Sequence, residues 1–237
     1  MTVVPTPEEL VRVDPLIAHY VENKALVSTF HKSLLVQFSE SEALQKLIHS
    51  TRSRLKDPDH LRKKLVRKLR EAFSSGTEFG VTKENLFETI NDLAGIRILH
   101  LHTTQAQKID EQMKAIFAEQ SIDIVEGPIA RTWDDEYRSY FESVGIGTQK
   151  SETMYTSIHY VVASKSKKTI TCEIQVRTLM EEVWGEVNHS INYPDPNDHV
   201  ACVEQIRALA RSTSAATRLV DSIFATVDDI QKKLVAR

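Results

Sequence analysis

Polar side chains suited to phosphate chemistry alternate with apolar ones along residues 170–177. Period-two spacing puts Glu173, Gln175 and Arg177 on one face of a predicted strand and leaves the other face apolar. The preceding strand alternates in the same way and presents Tyr155 and His159 on its polar face. A carboxylate, an amide, a guanidinium, an imidazole and a phenol could therefore meet on one concave surface. Taken alone, such a ladder is more often a solvated sheet face.

A second set of charged residues surrounds the apolar run at residues 93–99, which is typical of a buried strand. Asp92 stands at the mouth of this strand, and Gly95 and Arg97 interrupt it. A buried acid and a buried arginine both need partners. A bound metal ion and nucleotide would supply them, and a mutual salt bridge is the structural alternative.

The densest positive run of the chain lies at residues 52–70. Arg54 and Lys56 precede a predicted helix that begins at Asp57, and Lys64 lies on the flank of that helix. These cations could surround a polyphosphate. A basic helix that is merely solvated is the alternative. The helix is expected to dock through one apolar stripe, formed by Leu61, Leu65, Leu69 and Phe73.

Apolar periodicity predicts most of the other elements. Helices are expected over residues 8–23, with a break or kink at Pro15, and over residues 26–38, 83–90 and 105–118. A further short helix is expected around residues 44–48, and a strand over residues 122–125. The helix after Thr178 is expected to pack on the sheet through its apolar residues, which are Met180, Val183, Trp184, Val187 and Ile191.

The order of strand, helix and strand implies a mixed sheet flanked by helices, an α/β (α+β) fold. We expect a single domain over residues 1–237. N-terminal helices occupy residues 1–50, and a catalytic core spans residues 51–193. A turn at residues 193–196 then leads to a C-terminal helix within residues 199–237, which is expected to pack beside the N-terminal helices.

Residues 127–154 show the least regular pattern and are expected to form a long loop. A loop of this length in a compact domain is more often functional than idle. We expect it to cover the cleft and to offer Arg131, Arg138 and Lys150 to bound anions.

Composition indicates a globular protein without a global nucleic-acid signature, because 41% of residues are hydrophobic and the formal net charge is −3. No stretch has the apolar length of a membrane span, and the N-terminus lacks a signal-peptide pattern. We therefore expect a cytoplasmic protein. Cys172 and Cys202 lack metal-ligand spacing and are expected to be buried thiols that form no disulfide.

Four segments together resemble the synthetase domain of the RelA/SpoT alarmone synthetases. They are residues 54–56 (RLK), 92–97 (DLAGIR), 155–159 (YTSIH) and 173–177 (EIQVR), and the resemblance extends over residues 20–225. It implies a nucleotidyltransferase-like mixed sheet and transfer of the β,γ-pyrophosphate of ATP to a ribose 3′-hydroxyl. The expected acceptor is GDP or GTP, which would make the chain a (p)ppGpp-forming GTP diphosphokinase of the stringent response.

The resemblance also implies roles for residues on the ATP side. Arg54 and Arg97 would stack on adenine, and Lys56 and Lys64 would hold the phosphates of ATP.

Metal and acceptor roles follow from the same resemblance. Asp92 and Glu173 would bind Mg²⁺, and Glu173 would also be the base for the attacking hydroxyl. Tyr155 would stack on the acceptor base with His159 near the acceptor phosphates. The acceptor-binding set is Tyr155, His159, Gln175 and Arg177.

Family members that make guanosine alarmones tend to carry a Lys, an Asn and a Gly just ahead of the tyrosine, whereas residues 150–154 here are KSETM. A second hypothesis is therefore a toxin that places pyrophosphate on the 3′-terminal adenosine of tRNA. A third is a catalytically inactive nucleotide-binding module. A homo-oligomer and an antitoxin or regulatory partner stay open. The tRNA hypothesis needs a basic surface, for which the possible residues are Arg62, Lys63, Arg67, Lys165, Lys167 and Lys168.

Overall fold

The computed structural model describes residues 5–192 and 197–235, and the turn expected at residues 193–196 lies outside them. Helices run over Pro7–Glu22 (α1), Lys24–Glu40 (α2), Glu42–Gln45 (α3), Pro58–Ser74 (α4), Leu86–Thr89 (α5), Gln105–Glu119 (α6), Asp135–Ser143 (α7), Leu179–Asn192 (α8) and Val200–Val235 (α9). Strands run over Ser50–Leu55 (β1), Ala94–His100 (β2), Asp123–Thr132 (β3), Gly147–Lys150 (β4), Ser157–Ala163 (β5) and Thr171–Thr178 (β6). A short 3-10 turn, Asn91–Leu93, precedes β2.

Within the described residues, six strands form one sheet in the order β1-β2-β6-β5-β3-β4. β2 is parallel to β6 and β3 is parallel to β4, while the other neighbours are antiparallel. The predicted mixed sheet flanked by helices is therefore confirmed. No helix of the described residues is long and apolar enough to cross a membrane.

The central strands bring the sequence motifs onto one face of the sheet. Gly95 of β2 lies opposite Glu173 of β6, and Arg97 lies opposite Gln175. On the other side of β6, Gln175 lies opposite His159 of β5. Because side chains alternate between the two faces of a strand, these polar residues share a surface.

The opposite face of the sheet is buried by helices. Tyr20 of α1, Phe38 of α2, Leu65 of α4 and Met113 of α6 belong to one apolar cluster with Ile174 of β6. These helices do not cover the polar face of the same strands, where the polar side chains of the sequence motifs lie.

Two predictions about individual helices were wrong. α1 continues through Pro15 without a break. The carbonyl that loses its donor there belongs to Val11, whose side chain is exposed, so water can satisfy it. Phe73 was expected in the apolar stripe of α4, but it is 58% exposed and lies under the Arg12 guanidinium. The three leucines of the stripe are buried as predicted.

Residues 127–154 do not form the long irregular loop that was predicted. β3 continues through Gly127 and Pro128, and its register against β5 shifts around these two residues. An irregularity of this kind lets a glycine-proline pair stay inside a strand. Asp134 then caps α7 by accepting from the amides of Glu136 and Tyr137, and β4 follows.

Some element boundaries also differ from the prediction. β1 lies at the start of the basic run, where no strand was predicted, because this edge strand carries polar side chains almost throughout. The helix expected around residues 44–48 ends at Gln45, and the one expected over residues 83–90 is reduced to α5.

The last two helices pack differently from the prediction. α8 meets the polar face of the sheet, so its buried residues are Glu181, Glu182 and Trp184. Val183 and Val187, which were expected to face inward, are exposed. α9 packs chiefly against α8 and not beside the N-terminal helices.

Candidate active site

Asp92 is held between two lysines from different elements. Lys56 Nζ lies 2.8 Å from Asp92 Oδ2, and Lys64 Nζ lies 2.7 Å from Asp92 Oδ1. Burial alone would raise the pKa of Asp92, but the charges and hydrogen bonds of the two lysines lower it to about 2. The carboxylate is therefore ionised at neutral pH.

Backbone contacts fix the lysines at this position. The amide of Lys56 donates to the carbonyl of Leu93 at 2.8 Å, and the hydroxyl of Tyr20 donates to the carbonyl of Lys56 at 2.6 Å. Asp57 caps α4 immediately afterwards, so Lys64 emerges two turns into that helix and points back toward the start of β2.

Glu173 is the second carboxylate of the site. Its Oε1 lies 3.3 Å from Nδ1 of His159 on the adjacent strand. Burial raises the pKa of Glu173, whereas the hydrogen bond and charge of His159 lower it, and the net effect is a lowered pKa. Both carboxylates line one cleft together with Lys64 and His159.

Arg54 and Arg97 flank a space over the backbone of Gly95. Arg54 lies opposite Gly95 across β1 and β2, and its side chain passes 3.8 Å from where a β-carbon of that glycine would be. Arg97 is on the same face, two residues along β2. A larger residue at position 95 would take up room between the two guanidinium groups.

Arg97 does not pair with Asp92, so the mutual salt bridge that the sequence allowed is not formed. Its Nη1 lies 3.1 Å from Glu182 Oε1, and it also contacts Glu186. Glu182 and Glu186 are functional candidates that sequence reasoning missed. Their four-residue spacing on the helix after the EIQVR segment was the signal that could have found them.

Tyr155 is half-buried and lines the part of the cleft next to Gln175 and Arg177. Its hydroxyl donates to Gln175 Oε1 at 3.1 Å, and the Arg177 guanidinium lies 5.6 Å from its ring centre. The rings of His159 and Trp184 pack at its edges. Burial raises the pKa of Tyr155, so its hydroxyl keeps its proton.

All ten site residues predicted from the sequence lie along one polar surface. Glu173 adjoins both the space around Asp92 and the space between Arg54 and Arg97. Gln175 and Arg97 connect the latter to the space around Tyr155 and Arg177. Among the described residues, no group of three or more His, Cys, Asp or Glu side chains is arranged to hold a metal ion.

The three cations of the predicted loop are placed differently from one another, and Lys150 is exposed at the end of β4. Arg131 lines the cleft near Glu173 and contacts Glu126 at 3.3 Å. Arg138 instead pairs with Asp135 within α7.

The family profile described as "Region found in RelA / SpoT proteins" matches residues 53–198, which contain all ten predicted site residues. The chain belongs to the RelA/SpoT family. One curated relative in this family, the GTP pyrophosphokinase YjbM of Bacillus subtilis (strain 168), is 26% identical over 155 residues. The alignment spans 63% of this RelA/SpoT chain and 63% of that relative, less than two thirds of each.

Solved structures share the fold. Small alarmone synthetase 1 from Bacillus subtilis bound to its product pppGpp superposes with a TM-score of 0.59 at 20% identity, covering 88% of this chain and 95% of that chain. The same protein bound to AMPCPP gives a TM-score of 0.55 at 19% identity, covering 89% and 97%. These matches support the RelA/SpoT fold found here.

Proposed function

We propose that the chain is an ATP-dependent pyrophosphotransferase that moves the β,γ-pyrophosphate of ATP to the ribose 3′-hydroxyl of GDP or GTP and releases AMP. One observation carries this proposal: the ionised carboxylates Asp92 and Glu173 line one cleft, with a lysine pair at one end and an arginine pair at the other. The ligands named for the related structures, pppGpp and AMPCPP, agree with it.

The ATP half of the site would lie over β1 and β2. Adenine would occupy the space above Gly95, where Arg54 and Arg97 would stack on its faces. Lys56 and Lys64 would hold the phosphates, since both ammonium groups reach the same carboxylate at the start of β2.

The two carboxylates fit Mg²⁺. This ion takes oxygen ligands, keeps several waters and is commonly bound by one or two carboxylates plus substrate phosphates, so a larger protein cage is not needed. Asp92 and Glu173 would hold it, and the bound ion would offset negative charge on the phosphate oxygens.

The acceptor would enter beside Tyr155. Its base would stack on the Tyr155 ring, Gln175 and Arg177 would contact the nucleotide, and His159 would lie near its phosphates. Glu173 would accept the proton of the 3′-hydroxyl. Its lowered pKa makes it a weak base. In-line transfer to phosphorus depends more on alignment and charge neutralisation than on a strong base, so this strength is sufficient.

The surface charges favour a nucleotide over tRNA as acceptor. Of the basic residues that could guide a nucleic acid, Arg62 pairs with Asp14 and Asp59, and Arg67 pairs with Glu71. Lys165 similarly contacts an acidic side chain, that of Asp123. Partners of this kind reduce the number of phosphates that the surface can neutralise.

A labelled-ATP acceptor panel tests the proposal. The protein is mixed with γ-³²P-labelled ATP, Mg²⁺ and, in separate reactions, GDP, GTP or tRNA, and products are separated by chromatography. We expect label in a guanine nucleotide and loss of transfer with excess EDTA. Label only in RNA would instead establish the tRNA-modifying activity, and no transfer to any acceptor would indicate an inactive nucleotide-binding module.

A further inference from the structure

One carboxylate of α8 contacts arginines from three strands. Glu182 Oε1 lies 3.4 Å from Arg52 Nη1 of β1 and 3.1 Å from Arg97 Nη1 of β2. Glu182 Oε2 lies 2.8 Å from Arg177 Nη2 of β6. The Glu182 side chain is only 6% exposed and Arg177 only 3%, so this contact forms away from bulk water, whereas Arg52 is 60% exposed.

The strand register explains why a carboxylate is needed there. Arg52 lies directly opposite Arg97 across β1 and β2, and like charges at opposed positions destabilise a sheet. Arg177 is buried, and a buried guanidinium without a partner is strongly destabilising. Glu182 supplies a negative charge between Arg52 and Arg97 and a partner for the buried Arg177.

Two of the arginines that share Glu182 extend to different parts of the cleft: Arg97 lines the donor half and its junction with the acceptor half, whereas Arg177 lines the acceptor half. Arg97 borders the space over Gly95, where ATP is proposed to bind. Arg177 lies against Tyr155 in the proposed acceptor half. The pairing of β2 with β6 fixes the backbones of Arg97 and Arg177, and Glu182 contacts both guanidinium groups, so it can set the relative position of these two groups.

We propose that Glu182 is a positioning residue that sets the spacing between the donor and acceptor subsites. This inference rests on the proposed function. In-line transfer needs the attacking oxygen and the phosphorus in near-contact geometry, and small misplacements cost large factors in rate. Glu182 holds Arg97 and Arg177 so that nucleotides bound to each half meet at that geometry.

If Glu182 only neutralised the arginines, its replacement would have the opposite effect on nucleotide binding. A carboxylate that merely neutralised the arginines would weaken the binding of anionic nucleotides, and removing its charge would tighten that binding. A positioning carboxylate gives weaker binding and slower turnover when it is removed, although the cleft becomes more positive.

Glu182→Gln and Glu182→Asp separate these roles. Gln keeps the size and removes the charge, whereas Asp keeps the charge but is too short to span the arginines. We expect both variants to lower kcat at saturating substrate by about tenfold or more and to weaken binding of both AMPCPP and GDP, measured by calorimetry. Tighter AMPCPP binding by Glu182→Gln, or an unchanged kcat, would overturn the proposal.

Glu186→Gln is the matched comparison. Glu186 lies one turn further along α8, is 47% exposed, and pairs with Arg97 and Arg52. Because Glu182 still holds Arg97 in this variant, we expect KM for ATP to change by no more than about threefold and KM for the acceptor to stay unchanged. Equal effects of Glu186→Gln and Glu182→Gln on both substrates would also count against a bridging role.

The folding of each variant is measured separately from its activity. Thermal unfolding is recorded for each variant, and if Glu182→Gln does not fold, Glu182→Asp carries the test because it retains a counter-charge for Arg177. If the wild-type protein transfers no pyrophosphate in the acceptor panel, the proposed function fails, and calorimetry still decides whether Glu182 supports both nucleotide sites. If the wild type is active and both Glu182 variants match it, only the positioning role fails.

Discussion

Glu173 of the central strand β6 is both largely buried and ionised. It is surrounded by protein, and it is nevertheless ionised because His159 offsets the cost of burial. Structural carboxylates in sheets usually pair with an arginine or a lysine, so an acid paired with a histidine beside a second acid, Asp92, is suited to bind a cation.

Replacement of Glu173 tests this interpretation. Glu173→Gln keeps the size and hydrogen-bonding capacity of the side chain but removes the charge, so we expect turnover to fall by about a hundredfold or more while AMPCPP binding and the melting temperature change little. Initial rates, calorimetry and circular dichroism measure these effects. Glu204→Gln, at an exposed position of α9, serves as the control. Turnover near the wild-type level would refute the role of Glu173.

Sequence alternation was sufficient to place Glu173, Gln175 and Arg177 on one face, because the side-chain period of a strand is fixed. It could not supply their partners. Asp92 is 36 and 28 residues away from Lys56 and Lys64, and only the fold brings these groups together. The sequence therefore predicted which side chains share a face but not the ion pairs that they form.

At the scale of elements, α8 shows how a helix adapts to a polar sheet face. It begins after Thr178, whose hydroxyl accepts from the amide of Glu181, and it buries two consecutive glutamates. Glu182 is paired with arginines, but Glu181 Oε1 has no hydrogen-bond partner among the described residues. Burial raises the pKa of Glu181 to about 8, and a backbone hydrogen bond from Thr156 and the charge of Arg177 offset only part of this effect.

The stability of the protein should therefore depend on pH through Glu181. Below about pH 4.5 both folded and unfolded states keep the proton, whereas between pH 4.5 and about 8 only the folded state keeps it, so stability is lost as pH rises. The expected slope is up to about 1.4 kcal/mol per pH unit. Glu181→Gln should remove this slope and stabilise the protein more at pH 8 than at pH 5.

Urea unfolding of wild type and Glu181→Gln at several pH values measures the difference. Glu204→Gln, whose side chain is 55% exposed, should follow the wild-type curve. Parallel curves for wild type and Glu181→Gln would contradict the assigned protonation of Glu181.

Elements with strong apolar periodicity were predictable, and those with polar faces were not. α6 and the pair β5–β6 matched their predictions because each has a clear buried side. β1 and α7 were missed because their sequences are mostly polar, and their positions depend on pairing with β2 and on the cap at Asp134. On α8, Trp184 is buried as predicted, but Val183 and Val187 are exposed and Glu181 and Glu182 are buried, because the facing sheet surface is charged.

At the scale of the whole molecule, α9 has a part that contacts the rest of the protein, up to residue 224, and an exposed end at residues 225–235. Its first half packs on α8, where Ile206 accepts a hydrogen bond from Trp184 Nε1. Farther along, Asp221 accepts from the amide of Thr103, and Phe224 stacks on a histidine ring. Residues 225–235 are exposed.

Truncation should distinguish these two parts. Removing residues 226–237 should change the free energy of unfolding by no more than about 0.5 kcal/mol, because the described residues among them are exposed. Removing residues 221–237 should cost at least about 1 kcal/mol, since the contacts of Asp221 and Phe224 are lost. Urea denaturation measures both. A large loss in the shorter truncation would show that the exposed end has a partner, such as a second copy of the chain or a regulatory protein.

The pairing of Asp92 with Lys56 and Lys64 has a consequence for how the site is filled. A divalent ion arriving alone would have to displace two ammonium groups from the carboxylate, and a free triphosphate would have to draw both lysines away from it. Under the proposed function, an ion and a triphosphate that bind as one complex would let the two lysines pair with phosphate while Asp92 holds the ion, so that no charge would be left unpaired. Binding of the divalent ion should therefore strengthen binding of the triphosphate, and binding of the triphosphate should strengthen binding of the ion by the same factor.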